Sequence, residues 1–126
     1  IARSVRKLTG GGVSFLPVPG SYYATLAHEL THWTGAEKRL NREKGKRFAD
    51  KTYAFEELIA ELGAAFLCSE LAITNEPRPD HAQYIAEYLT ILQNDKKAIF
   101  TAAAAASAAT DYIMAFSRKS KLDEAA

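Results

Sequence analysis

Apolar residues recur at helical spacing along most of the chain. Tyr23, Leu26, Ala27, Leu30 and Thr34 share one side of a helix that starts near Ser21, after Pro19-Gly20, and stops at Gly35. Phe55, Leu58, Ile59, Leu62 and Phe66 give an apolar side to a second helix, predicted from about Tyr53 to Ile73 with Thr52 as its cap. Asn75, Pro77 and Pro79 end it. Asp80 with Gln83 resembles a capping box at the head of a third helix, which carries Tyr84, Ile85, Tyr88, Leu89 and Leu92. Asn94-Asp95 marks a break. A fourth helix then spans roughly Lys96 to Phe116, and its alanine run, Ala102 to Ala106, favours both helix and close packing. The charged tail from Ser117 is expected to fray. A strand is legible only at Val13-Ser14-Phe15-Leu16, after the break Gly10-Gly11-Gly12. The pattern predicts a mainly α fold of α+β type, with a small or truncated β element at the N-terminus.

Composition narrows this picture. The 126 residues suit a single domain, residues 1–126, and the start at Ile1 rather than Met suggests a piece of a longer protein. A net charge of +1 excludes a strongly acidic mimic and a wholly basic nucleic-acid coat. With one cysteine no internal disulfide forms, which fits a reducing, cytoplasmic setting. Cys68, among Phe66, Leu67 and Leu71, reads as core. No apolar run approaches the ~20 residues of a membrane span, so no membrane partner is expected. Between Ala36 and Lys51, seven basic residues (Lys38, Arg39, Arg42, Lys44, Lys46, Arg47, Lys51) face Glu37, Glu43 and Asp50. This segment reads as a solvated loop, or more sharply as a basic rim to a binding groove.

The chemistry lies in His28-Glu29-Leu30-Thr31-His32. Histidines four apart on a helix point the same way and can grip one cation. They lie opposite the Tyr23/Leu26/Leu30 stripe on a helical wheel. In this motif the glutamate between them does not bind the metal; it takes a proton from the attacking water and passes it on. A third protein ligand is needed, and the second helix offers Glu57 and Glu61, again four apart. Their neighbours Leu58, Ile59, Ala60, Leu62, Gly63 and Ala64 are apolar, and unpaired carboxylates there would be costly. A metal and an imidazole remove that cost. Glu57 is assigned as third ligand and Glu61 as the acceptor for a ligating histidine, with Glu61 the alternative ligand. The order follows other glutamate-type zincins, in which the ligand precedes its acidic partner by one turn. Glu56 points about a hundred degrees away and is expected to face solvent. His81 is a weaker rival for third ligand. Trp33 is expected to pack behind the site. Tyr22, Tyr53 and Tyr112 could each polarise an oxyanion, but for any one of them packing in the core or an interface is the better expectation.

The stretch Tyr22-Tyr23-Ala24-Thr25-Leu26-Ala27-His28-Glu29-Leu30-Thr31-His32-Trp33-Thr34-Gly35, then Arg39-Leu40-Asn41-Arg42, then Glu56-Glu57-Leu58-Ile59-Ala60-Glu61-Leu62-Gly63, resembles the C-terminal metallopeptidase domain of ArdC-type antirestriction proteins. The same domain type occurs in polyvalent proteins of plasmids and phages. Asp80 to Phe100, ending Asn94-Asp95-Lys96-Lys97-Ala98-Ile99-Phe100, also resembles that family, whereas the segment before Ser21 departs from it. The resemblance implies a zincin-like fold, a Zn2+ cofactor and hydrolysis of peptide bonds in a protein or peptide substrate, in the service of mobile DNA. It also implies DNA contact mainly through an N-terminal domain that this chain does not show. Two other readings follow from the residues: a catalytically silent, zinc-stabilised module binding a host defence protein, and a nucleic-acid module built on the basic segment. Only Phe48 is interleaved with those charges, so base stacking is poorly served.

Overall fold

The structure is a computed structural model that describes residues 20–43, 50–73, 81–93 and 95–125. Four helices follow one another: α1 (Gly20–Thr34), α2 (Lys51–Glu70), α3 (His81–Ile91) and α4 (Lys96–Ala125). No strand occurs among the described residues. The strand expected at 13–16, and Asp80 of the expected capping box, lie outside them.

Helix α2 is the hub, packed by α1, α3 and α4. Its start is set by Asp50, whose carboxylate accepts the Thr52 amide at 2.8 Å. The cap is therefore Asp50 rather than Thr52, because a carboxylate is a strong acceptor for an orphan amide of the first turn. The helix ends at Glu70, earlier than expected. There the amides of Ala72 and Ile73 turn back to the carbonyls of Ser69 and Cys68, with Ala72 at φ 54°. This Schellman closure stops α2 before any proline is reached.

Two clusters form the core. In one, Ala54, Leu58 and Ile59 of α2 meet Tyr88 and Leu92 and the alanines 102 and 106 of α4. In the other, Ala24 and Ala27 of α1 meet Ala64, Leu67 and Cys68, with Ile113 and Met114 alongside. Burial of Ile59 and Leu67, both essentially complete, contributes roughly 1.5–3 kcal/mol each. Cys68 is buried as expected, and its thiol pKa is raised by that burial.

Three expectations need correction. Of the expected side of α1, Ala27 and Thr34 are buried, together with Ala24 and Thr31, but Tyr23, Leu26 and Leu30 are not; small residues win because α1 lies close to α2. Helix α4 does not fray at Ser117 but continues to Ala125. It is also long and apolar enough, over Lys96–Lys119, to cross a membrane by length and composition. The alanines that make it so include Ala102, Ala106 and Ala109, which are fully buried in the packed helices.

Candidate metal centre

The site forms where α1 packs on α2, and a glycine permits the approach. A Cβ on Gly63 would stand 2.5 Å from Oγ1 and Cγ2 of Thr31, which is itself fully buried and donates its hydroxyl to the Ala27 carbonyl at 2.8 Å. The residues then pair in antiparallel order. His28 faces Glu61 and Glu57; His32, one turn on, faces Glu57 and Glu56.

The Nε2 atoms of His28 and His32 lie 3.0 Å apart. Glu57 brings Oε1 to 3.0 Å from His32 Nε2 and Oε2 to 3.4 Å from His28 Nε2. These three residues alone among those described bring ligand atoms together as a metal-binding group. Ligands at ~2.0–2.1 Å from one tetrahedral cation stand about 3.3 Å from one another. The donor set and its spacing therefore fit a divalent cation. The opposite edges of both rings face other carboxylates: His28 Nδ1 is 3.2 Å from Glu61 Oε1, and His32 Nδ1 is 3.7 Å from Glu56 Oε1. Glu29 is exposed on α1, next to these part-buried groups.

Charge coupling is strong. Burial alone would lower the His28 pKa, but hydrogen bonding and charge from Glu57 and Glu61 outweigh it and raise it to about 9. Burial would raise that of Glu57, but the two imidazoles pull it down to about 2. His32 is likewise raised against its burial, by Glu56 and Glu57. Tyr88 is pushed well above the usual phenol range, by burial first and then by Glu57.

The structure thus brings His28 and His32 together with Glu57, and His28 with Glu61. Glu56 is a correction: it is 4% exposed, not solvent-facing. Arg42 supplies the reason, its guanidinium donating to both Glu56 oxygens. Sequence reasoning missed this role for Arg42. The available signal was charge: three carboxylates in an apolar helix need more cation than two histidines provide. Of the basic segment, Arg42 and Lys51 line a groove with Phe55 and Ile59, whereas Arg39 turns back on α1. Arg39 lies over the Trp33 ring at 4.0 Å and donates to the Trp33 carbonyl at 2.6 Å. Trp33 in turn packs on Tyr112 and Phe116 of α4, behind the site. Tyr112 is held in that aromatic group, and Tyr22 packs on Tyr23. Tyr53 is close enough to feel the charge of Glu57. Tyr88, read from the sequence only as core, donates its hydroxyl to Glu57 Oε2 at 3.4 Å. The His81 side chain lies outside the described residues.

One helix presenting His-Glu-x-x-His and another presenting Glu-x-x-x-Glu to the same point define the zincin-like class. The family model described as zincin-like metallopeptidase, of the polyvalent-protein type, matches residues 14–105, and the chain belongs to that family. It is 46% identical over 95 residues to the uncharacterized protein y4eC of Sinorhizobium fredii, covering 75% of this chain and 31% of that protein. It is 43% identical over 103 residues to a DNA primase TraC of Escherichia coli, covering 82% of this chain and 10% of the primase. Among solved structures it is similar to the Mn(II)-bound antirestriction ArdC protein from the R388 plasmid, with a TM-score of 0.62 and 45% identity, over 75% of this chain and 35% of that one. The chain thus spans about a third or less of the length of these relatives. The zincin-like fold implies a divalent metal.

Proposed function

We propose that this chain is a metal-dependent peptidase domain of a cytoplasmic antirestriction or other mobile-element protein, acting on a protein or peptide such as a host defence factor. The observation that carries the reading is the 3.0–3.4 Å spacing of His28 Nε2, His32 Nε2 and the Glu57 carboxylate. These three residues hold the cation, zinc in our reading. When bound, it supplies Lewis acidity, lowering the pKa of a water towards ~7 and polarising the scissile carbonyl. The Glu61 carboxylate, 3.2 Å from His28 Nδ1, favours the proton on that edge by its charge and so would leave the Nε2 lone pair free to bind the cation. Glu29, exposed on α1, takes the proton of the attacking water and delivers it to the leaving amine.

Metal content by mass spectrometry, beside hydrolysis of a fluorogenic protein substrate, tests this. Wild type is expected to carry near-stoichiometric metal, and His32→Ala and Glu57→Gln to lose it. Glu29→Gln should keep the metal and lose activity by about 10²–10⁴-fold. Full hydrolysis by Glu29→Gln would exclude the mechanism. A metal-loaded wild type inert on every protein offered would favour a silent binding module instead.

A further inference from the structure

Behind His32 stands a group of residues that the peptidase motif does not include. Arg42 Nη2 donates to Glu56 Oε1 at 2.8 Å and Nε donates to Glu56 Oε2 at 3.2 Å. The same guanidinium donates from Nη1 to Thr34 Oγ1 at 2.9 Å and from Nη2 to the Thr31 carbonyl at 2.7 Å. One planar fork therefore joins the end of α1 to the Glu56 carboxylate on α2. A lysine, a single point charge, could not serve all three partners.

The backbone is shaped to deliver it. After α1 the chain doubles back, closed by amides of Leu40 to the Thr34 carbonyl, Asn41 to Ala36 and Arg42 to Gly35, at 2.8, 3.0 and 2.9 Å. Asn41 makes the turn at φ 50°. Gly35 leaves room for the fork: a Cβ there would stand 2.9 Å from Arg42 Nη2 and 3.0 Å from Glu56 Oε1.

The held carboxylate faces His32 Nδ1 at 3.7 Å, beyond hydrogen-bond reach, and so acts on the ring by charge. Negative charge at that edge favours the proton on Nδ1 and frees the Nε2 lone pair, which points at Glu57 and His28 Nε2. Charge balance agrees. With neutral imidazoles, Glu56, Glu57 and Glu61 carry −3 and Arg42 carries +1, leaving −2, the charge one divalent cation cancels.

From this geometry we infer that Arg42, through Glu56, is a positioning residue for His32 in metal binding. The inference rests on His32 being a ligand. Affinity for Zn2+, and in parallel Mn2+, measured by chelator competition at fixed pH tests it, with helix content followed by circular dichroism. Glu56→Gln and Arg42→Gln should each weaken binding about 10–100-fold. The double variant should bind no more weakly than Glu56→Gln alone, because Arg42 acts through Glu56. Thr34→Val, which removes one of the two bonds from Arg42 to α1 and leaves those to Glu56, should stay within about threefold of wild type. If Gln at position 56 disrupts folding, Glu56→Asp, which draws the charge back by one methylene, should show the same weakening. Folded Glu56 variants binding as wild type, while His32→Ala has lost the metal, overturn the inference and leave the metal site standing. Equal loss in Thr34→Val, or additive loss in the double variant, makes Arg42 merely structural and also overturns it. If His32→Ala retains full affinity, the metal-site reading itself falls.

Discussion

Glu56 and Glu57 are chain neighbours with opposite tasks. Glu57 turns to the Nε2 edges of both histidines, while Glu56 turns to the Nδ1 edge of one and is held by Arg42. Removing Arg42 leaves the buried Glu56 carboxylate with only the His32 edge at 3.7 Å, at a cost of up to about 3–5 kcal/mol. The metal-free site also sets a pH dependence. The His28 pKa is raised from 6.5 to about 9, so its contribution to stability is full below pH 6.5 and lost as pH rises through about 9. The Glu57 pKa is lowered from 4.5 to about 2, so its contribution is present above pH 4.5 and lost as pH falls through about 2. Thermal melts in chelator should therefore peak in the window between pH 4.5 and 6.5. In the proposed site, metal uptake expels the His28 proton, so affinity should climb with pH from 6.5 to about 9, with protons released in calorimetry at pH 7 to 8. Affinity independent of pH in that range would sink this account. Which residues the proposed site draws on was legible, because His28 and His32, and Glu57 and Glu61, occur at spacings that helices bring to one face. Arg42 was not, because a surface arginine and a buried clamp look alike in a charge pattern.

At the scale of elements, helix identity was readable from period and composition, and helix ends were less so. Apolar spacing put α2 in place, but its stop depends on two backbone hydrogen bonds around Ala72 that no side chain announces. Ala72 holds a left-handed conformation that costs a non-glycine residue roughly 1–2 kcal/mol. Ala72→Gly should stabilise the domain by about 0.5–1 kcal/mol in denaturant unfolding; a loss of stability would show that this closure is not native. Gly63→Ala tests the α1–α2 contact in the other direction. Its methyl group meets Thr31 at 2.5 Å, so the helices must part. The expected cost is about 1–3 kcal/mol, together with weaker metal binding, because the same contact carries the ligands. A Gly63→Ala protein with wild-type melting and wild-type affinity would refute that coupling.

Across the whole molecule, the proposed site links folding to metal binding. His28, His32 and Glu57 come from two helices and meet only when α1 lies on α2. A cation at a hundred times its Kd should add about 2.7 kcal/mol to stability, seen as a fall in Tm on chelation and its return on adding metal. No change in Tm with metal would mean that the two histidines and Glu57 do not share a cation. The sequence by itself determined the helical class and the motif residues, because periodicity and i,i+4 spacing are local properties written in chain order. It also located Cys68 in the core and the alanine run in a helix. The tertiary structure alone decided that Glu57 faces the Nε2 edges and Glu61 the Nδ1 edge, that Glu56 is buried, and that α1 turns its small residues inward. Those outcomes depend on how closely two helices approach and which charge meets which ring edge, and both are settled by packing between segments far apart in sequence.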